Sequence, residues 1–194
     1  HIIIGFYLKI SCPFQFLQLV VDVEASAPAS LTEFSLDEQL RQVILRLEPT
    51  WSARGISWQL DLNSVTVVSD EELLSHVWMN IIQNAIKFSP ENAVIEVRVF
   101  ATDTATVEIT DHGIGMDDAT VKRIFDRFYQ ADRSRKQEGV GLGLCLVKRI
   151  LDMLGGTVSV DSRPGEGSTF RIHVPFRPKY DEAAHTGERE GKSP

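Results

Sequence analysis

One stretch constrains this chain more than any other: Asn80-Ile81-Ile82-Gln83-Asn84-Ala85-Ile86-Lys87-Phe88-Ser89. Leu73, Leu74, Val77, Ile81, Ala85 and Phe88 recur at helical spacing, which predicts a helix with one apolar stripe. Asn80 and Asn84 lie four residues apart and Lys87 follows by three, so on that helix they stack on one side, turn over turn. Two carboxamides and an ammonium in one column suit a phosphate chain with its metal. A carboxamide oxygen is a hard neutral ligand for Mg²⁺, and Lys is a point charge for a phosphoryl group. The competing reading is a solvated helix face that happens to carry two asparagines. The helix alone does not separate the two, so the decision passes to the residues downstream.

The chain has 194 residues, enough for one full core plus extensions, with ordinary globular composition at 43% hydrophobic and 24% charged. A formal net charge of −7 argues against nonspecific nucleic-acid binding. Any polyanion must therefore be met by locally clustered Lys and Arg. Cys12 and Cys145 make neither a metal spacing nor a disulfide framework, which points to a reducing, cytoplasmic compartment. The apolar run from His1 to Val21 is broken by Lys9, Pro13, Gln15 and Gln18 and has no cleavage-site signature, so no membrane span or signal peptide is expected. A start at His1 suggests a fragment of a longer protein.

Residues 1–33 read as an N-terminal segment, with Phe14, Leu17 and Val21 as the end of a helix and Ala25 to Ser30 as a linker. Phe34 to Leu36 suggests a short strand, and Ser35 a cap for a helix from about Asp37 to Leu47. Ile56 to Leu62 alternates with period two and reads as a strand; Val65 to Val68 is a shorter one. Ser69 or Asp70 caps the asparagine helix, and Ser89-Pro90-Glu91-Asn92 ends it. Val94 to Phe100 and Thr106 to Thr110 form a hairpin, followed by a short helix from Asp118 to Phe125. Arg127 to Gly139 is polar and weakly patterned and reads as a mobile loop. A helix from Gly143 to Leu154 precedes strands at Thr157 to Val160 and Ser168 to Val174. The tail from 177 to 194 has a disordered composition. Helices and strands mix without a clean βαβ alternation. The expected class is therefore α+β, an α/β sandwich with a mixed, largely antiparallel five-stranded sheet and helices on one face.

Four further constellations bear on chemistry. Asp111 starts a turn at a strand end, with Gly113 and Gly115 close behind. Glycines admit a flat ligand close to the backbone, and a buried carboxylate there accepts a hydrogen bond from an exocyclic amine, selecting adenine over guanine. An ordinary Asp-Gly turn is the alternative. Gly139-Val140-Gly141-Leu142-Gly143 runs into a helix whose free amides and positive dipole end make an anion site. It follows a polar loop rather than a strand, so it does not fit a dinucleotide fingerprint, and no P-loop is present. Phe125-Asp126-Arg127-Phe128 places two aromatics around Arg127, which they are expected to anchor. Arg127, more than Arg133, Arg135 or Lys136, is then a candidate γ-phosphate clamp. Gly165 to Phe170 is a turn into a strand in which Thr169 offers a hydroxyl to the base or a bridging water.

In order and spacing, these five stretches resemble the catalytic, ATP-binding domain of sensor histidine kinases, the family with the Bergerat fold shared with gyrase-type and chaperone-type ATPases. The resemblance covers residues 34–176. It implies ATP and Mg²⁺ as ligands, with Asn84 on the metal and Lys87 at a terminal phosphate. It places Asp111 on the adenine amino group, Phe88 near the base, and Gly113, Gly115, Gly139, Gly141, Leu142, Gly143 and Leu144 around the nucleotide. The Arg127–Gly139 loop corresponds to a mobile ATP lid. Asn80 stands where the hydrolysing relatives carry a Glu that activates water. A carboxamide takes up no proton at neutral pH, so this pattern suits γ-phosphoryl transfer rather than hydrolysis. The resemblance also implies partners: a dimerisation domain bearing a phosphoacceptor histidine, a response regulator, and a homodimeric, in some relatives membrane-anchored, full-length protein. No acceptor histidine followed by an acidic residue is visible around His1, His76, His112, His173 or His185. An ATPase or serine kinase of the same superfamily, or a regulatory pseudokinase, are the alternatives.

Overall fold

The computed structural model describes residues 30–129 and 142–177. The expected N-terminal helix, the Arg133, Arg135 and Lys136 cations, most of the lid, Gly139, Gly141 and the tail from 178 onward lie outside the described residues.

Two sheets form. In the first, β1 (Leu31–Ser35) pairs antiparallel with β3 (Thr66–Asp70), from Leu31 opposite Asp70 to Ser35 opposite Thr66. β1 thus begins before the expected boundary at residue 34. The second sheet has five strands: β2 (Ser57–Leu62), β4 (Val94–Ala101), β5 (Ala105–Asp111), β7 (Gly167–Val174) and β6 (Thr157–Arg163), in that spatial order. β2 runs parallel to β4, and the other pairings are antiparallel.

The helices are α1 (Leu36–Arg46), α2 (Glu48–Ser52), α3 (Glu71–Phe88), α4 (Asp118–Val121) and α5 (Gly143–Met153). α4 stops after four residues, shorter than the helix expected to reach Phe125. Every second residue of the central strands points inward: Ile95, Val97 and Val99 on β4, Ala105, Val107 and Ile109 on β5, and Phe170, Ile172 and Val174 on β7 are all buried. The opposite face is polar. Asp61, Arg98, Glu108, Arg171 and Asp161 form an ion-pair ladder across it at 3.5, 3.5, 2.6 and 3.5 Å. One face can face water because its side chains are solvated and cross-paired.

α3 is buried more widely than a single stripe. Leu74, Val77, Ile81 and Ala85 are joined by Trp78, Ile82 and Ile86, while Leu73 and Phe88 sit half-exposed at its ends. The extra width exists because α3 is wedged between the sheet, α5 and α1. Its N-cap is Asp70, whose Oδ1 accepts from the Leu73 amide at 3.0 Å and whose Oδ2 accepts from the Ser30 amide at 2.9 Å.

A polar lock ties α1 to α3. The Trp78 indole N–H donates to Gln39 Oε1 at 2.7 Å, and Gln39 Nε2 donates to the Glu71 carbonyl at 2.6 Å. Both side chains are buried. Gln39→Leu strands the indole N–H without an acceptor, so a loss of about 1–3 kcal/mol is expected in urea unfolding. An unchanged midpoint would show that the lock contributes nothing.

Candidate functional site

Asn80, Asn84 and Lys87 lie half-buried along α3, on the side its core residues leave open. Asn80 Nδ2 donates to the His76 carbonyl one turn back, at 2.8 Å, which fixes the carboxamide. Its Oδ1 faces Gly143, the first residue of α5; a Cβ there would lie 2.7 Å from it. Glycine is what lets the start of α5 reach the asparagine column. No side chain caps α5, and its N-cap residue Leu142 is buried. The positive end of a regular helix therefore stands beside Asn80, a suitable place for anionic oxygens. Leu144 packs half-buried against the core.

Asp111 takes the fourth inward position of β5, after Ala105, Val107 and Ile109. It is therefore 5% exposed on the helix side of the sheet. Burial pushes its carboxyl above the ordinary carboxylate value; the Gly113 and Ser168 amides and His112 act in the opposite direction. Gly113 N donates to Asp111 Oδ1 at 2.9 Å. The turn then closes on the end of α3, where Ile114 N donates to the Phe88 carbonyl at 3.3 Å. A Cβ on Gly113 would overlap that same carbonyl oxygen and lie 2.8 Å from Asp111 Oδ1. Gly115, at φ +61°, similarly abuts the Arg163 carbonyl. The glycines thus bring the carboxylate, the asparagine helix and the β6–β7 turn together by close backbone contact.

The structure separates Thr169 from this group. Thr169 lies opposite Thr110 on the outer face, their hydroxyls 3.0 Å apart. The residue in register with Asp111 is Ser168, which is buried beside it. A step of one residue along a strand changes the face. Counting back by two from the core residue Phe170 reaches Ser168, and that was the signal available in the sequence. The Ser168 hydroxyl meets Ser162 Oγ at 2.9 Å, and Ser162 Oγ accepts from the Met116 amide at 2.9 Å.

The aromatic pair around Arg127 also divides. Phe125 packs on the core, whereas Phe128 is 58% exposed at φ +61°. Arg127 therefore has one aromatic anchor, not two, and lies at the surface next to the undescribed stretch from residue 130. Lys87 Nζ sits 5.1 Å from the centroid of the Phe88 ring. A cleft of about 380 Å³ opens between Lys87, Phe88, Gly113 and Ile114, with Arg54 and His112 also lining it. Asn80, Asn84 and Asp111 are not among its walls, so the cleft adjoins the column rather than containing it.

Together these features make an α/β sandwich with a buried carboxylate beside a glycine turn, an asparagine column and an uncapped helix start, groups suited to a nucleotide. The comparisons agree. Residues 69–178, more than half of the chain, match the model of the family described as histidine kinase-, DNA gyrase B-, and HSP90-like ATPase. The chain belongs to this family, and within it to the ATP-binding domains of sensor histidine kinases. It is 35% identical over 148 residues to the adaptive-response sensory kinase SasA of Prochlorococcus marinus, covering 74% of this chain and 39% of that protein. It is 32% identical over 148 residues to the heme sensor protein HssS of Staphylococcus saprophyticus, covering 76% of this chain and 32% of that protein. The chain thus spans roughly a third of the length of these relatives. Among solved structures, the mycobacterial sensor histidine kinase MprB superposes with a TM-score of 0.67 at 27% identity, covering 76% of this chain and 99% of that one. Full-length ShkA in complex with AMPPNP superposes with a TM-score of 0.72 at 29% identity, covering 84% of this chain and 36% of that one. No helix among the described residues is long and apolar enough to cross a membrane.

Proposed function

We propose that this chain binds Mg-ATP and delivers the γ-phosphoryl group to a histidine on a dimerisation domain, as the catalytic half of a cytoplasmic two-component kinase. The observation that carries the reading is the buried Asp111 carboxylate, held at a glycine turn that closes on the end of the asparagine helix. That carboxylate accepts the adenine amino group, and Phe88 packs near the base. Lys87 and Arg127 meet the terminal phosphates, and the start of α5 offers its amides to phosphate oxygens. ShkA, one of the similar structures, holds a triphosphate analogue.

Among the described residues no group of three His, Cys, Asp or Glu side chains could hold a metal alone. The half-buried Asn84 carboxamide fits a Mg²⁺ that arrives with the nucleotide, because such an ion draws most of its oxygens from phosphates and water. When bound, it neutralises charge developing on the transferred group. Asn80 contributes no base: its carboxamide is engaged with the His76 carbonyl and cannot take a proton from water. The site therefore positions ATP for an incoming nucleophile instead of hydrolysing it. The phosphoacceptor domain of the same or a partner subunit, a response regulator and a homodimeric whole protein complete the proposal.

Asn84→Ala tests the metal assignment. Mg-ATP affinity is expected to fall at least tenfold in a calorimetric titration, while affinity for ATP in EDTA changes little. Retained tight Mg-ATP binding would refute the ligand role.

A further inference from the structure

We propose that Arg54 is a positioning residue for the nucleotide site, acting through the last turn of α3; this rests on the ATP-binding reading above. Arg54 lies between α2 and β2, far in sequence from the five motif stretches. Its guanidinium donates to the Lys87 carbonyl at 3.2 Å and to the Ser89 carbonyl at 2.6 Å. These carbonyls sit at the negative end of the α3 dipole, where intrahelical donors run out. The backbone of Arg54 is itself held. Its carbonyl accepts from the Asn92 amide at 2.9 Å, and Gly55 at φ +66° packs directly against the Asn92 side chain.

The end of α3 is therefore gripped from two sides. On one, Ile114 N and Gly113 close on the Phe88 carbonyl. On the other, Arg54 holds the carbonyls immediately before and after it. Ser89 adds its own brace, donating from both its amide and its hydroxyl to the Ala85 carbonyl at 3.1 and 2.7 Å. Lys87 and Phe88, which meet phosphate and base, sit on this clamped turn, and Arg54 lines the same cleft. A planar fork reaches two carbonyls at once, which an ammonium on a flexible stem does not reproduce. The Arg54 Nε is buried without a partner among the described residues, so the two carbonyl bonds are kept despite a stranded donor.

Arg54→Met keeps the stem and removes both bonds; Arg54→Lys keeps the charge but replaces the planar fork with a single ammonium. Two readouts separate the clamp from its consequence. In the nucleotide-free chain, amide exchange at Ile114 is expected to quicken about tenfold in Arg54→Met, while Val97 and Ile172 in the sheet core keep the wild-type rate. In titrations, Mg-ATP affinity is expected to fall about tenfold, with Arg54→Lys recovering part of it. Unchanged exchange at Ile114 overturns the clamp, as does acceleration spread evenly over the sheet. Faster exchange with unchanged affinity overturns the link to the nucleotide. If the wild-type chain binds no nucleotide, the ATP reading fails by itself, and the exchange data still decide the clamp.

Discussion

Asp111→Asn is expected to weaken adenine nucleotide binding by tenfold to a hundredfold while leaving the melting temperature unchanged or higher. The two effects diverge because, on the proposed assignment, one carboxylate serves binding at the expense of the empty fold. Asp111 is 5% exposed, and burial is the largest influence on it, raising its carboxyl above the ordinary value. Asn is nearly isosteric, keeps an oxygen for the Gly113 amide, and removes the desolvated charge. A hydrogen bond to a charged acceptor is worth about 1.5–3 kcal/mol, which converts to the stated range. A guanine nucleotide presents a carbonyl where adenine presents an amine, so its weak binding should change little. An equal proportional loss for GTP would remove the base-reading role.

The same residue predicts opposed pH trends. A raised folded-state value means that the native state holds the proton more tightly than the unfolded chain. Its contribution to stability is therefore present at low pH and is lost as pH rises through the raised value. Adenine recognition needs the ionised form, so affinity falls as pH drops through that value. Comparing wild type with Asp111→Asn cancels the ordinary acid loss from carboxylates such as Asp37 and Asp117, whose values are lowered. The nucleotide-free wild type should gain stability relative to the variant on mild acidification. A constant difference across pH would exclude a raised Asp111.

Gly113→Ala is expected to abolish measurable nucleotide binding and to cost about 1–3 kcal/mol of stability. The added methyl would sit on the Phe88 carbonyl oxygen and 2.8 Å from both the Phe88 carbonyl carbon and Asp111 Oδ1. These are backbone atoms and a buried carboxylate, so relief requires moving the end of α3 away from the turn that carries Asp111. That motion would separate Asp111 from Lys87 and Phe88, the groups proposed to read base and phosphate. Gly165→Ala is the matched control: its methyl meets nothing within 4 Å, although φ +79° adds local backbone strain. Guanidinium unfolding and nucleotide titration of both variants check the argument. Near-wild-type binding by Gly113→Ala would mean that the turn and the helix end are not rigidly coupled.

Much of this was legible before any coordinates. Asn80, Asn84 and Lys87 are spaced for one helix side, and the dominant signal there is period, which survives in sequence. The alternation of Val107, Ile109 and Asp111 likewise carries the carboxylate to the inner face. Where reading faltered, the cause was a phase or a partner. Thr169 falls on the outer face, one step from the inward Ser168; a turn with two glycines hides the phase of the strand that follows. Phe128 was assigned to the core on its chemistry, yet a backbone turn at φ +61° puts it in solvent. Trp78, Ile82 and Ile86 lie outside the predicted stripe yet are buried, because α3 packs against α1 and α5 as well as the sheet.

The sequence by itself determined the local elements and the candidate polar side chains, with Asn80, Asn84 and Lys87 on one side of a helix. Only the tertiary structure decided that these elements meet. The meeting depends on backbone atoms brought close where glycines leave room: Phe88 against Gly113, Asn80 against Gly143, and Arg163 against Gly115. It also depends on Arg54, which reaches the end of α3 from a loop more than thirty residues away. Glycine marks where the backbone can approach, but the carbonyl that fills the space has no residue-type signature, so the partner is not announced along the chain.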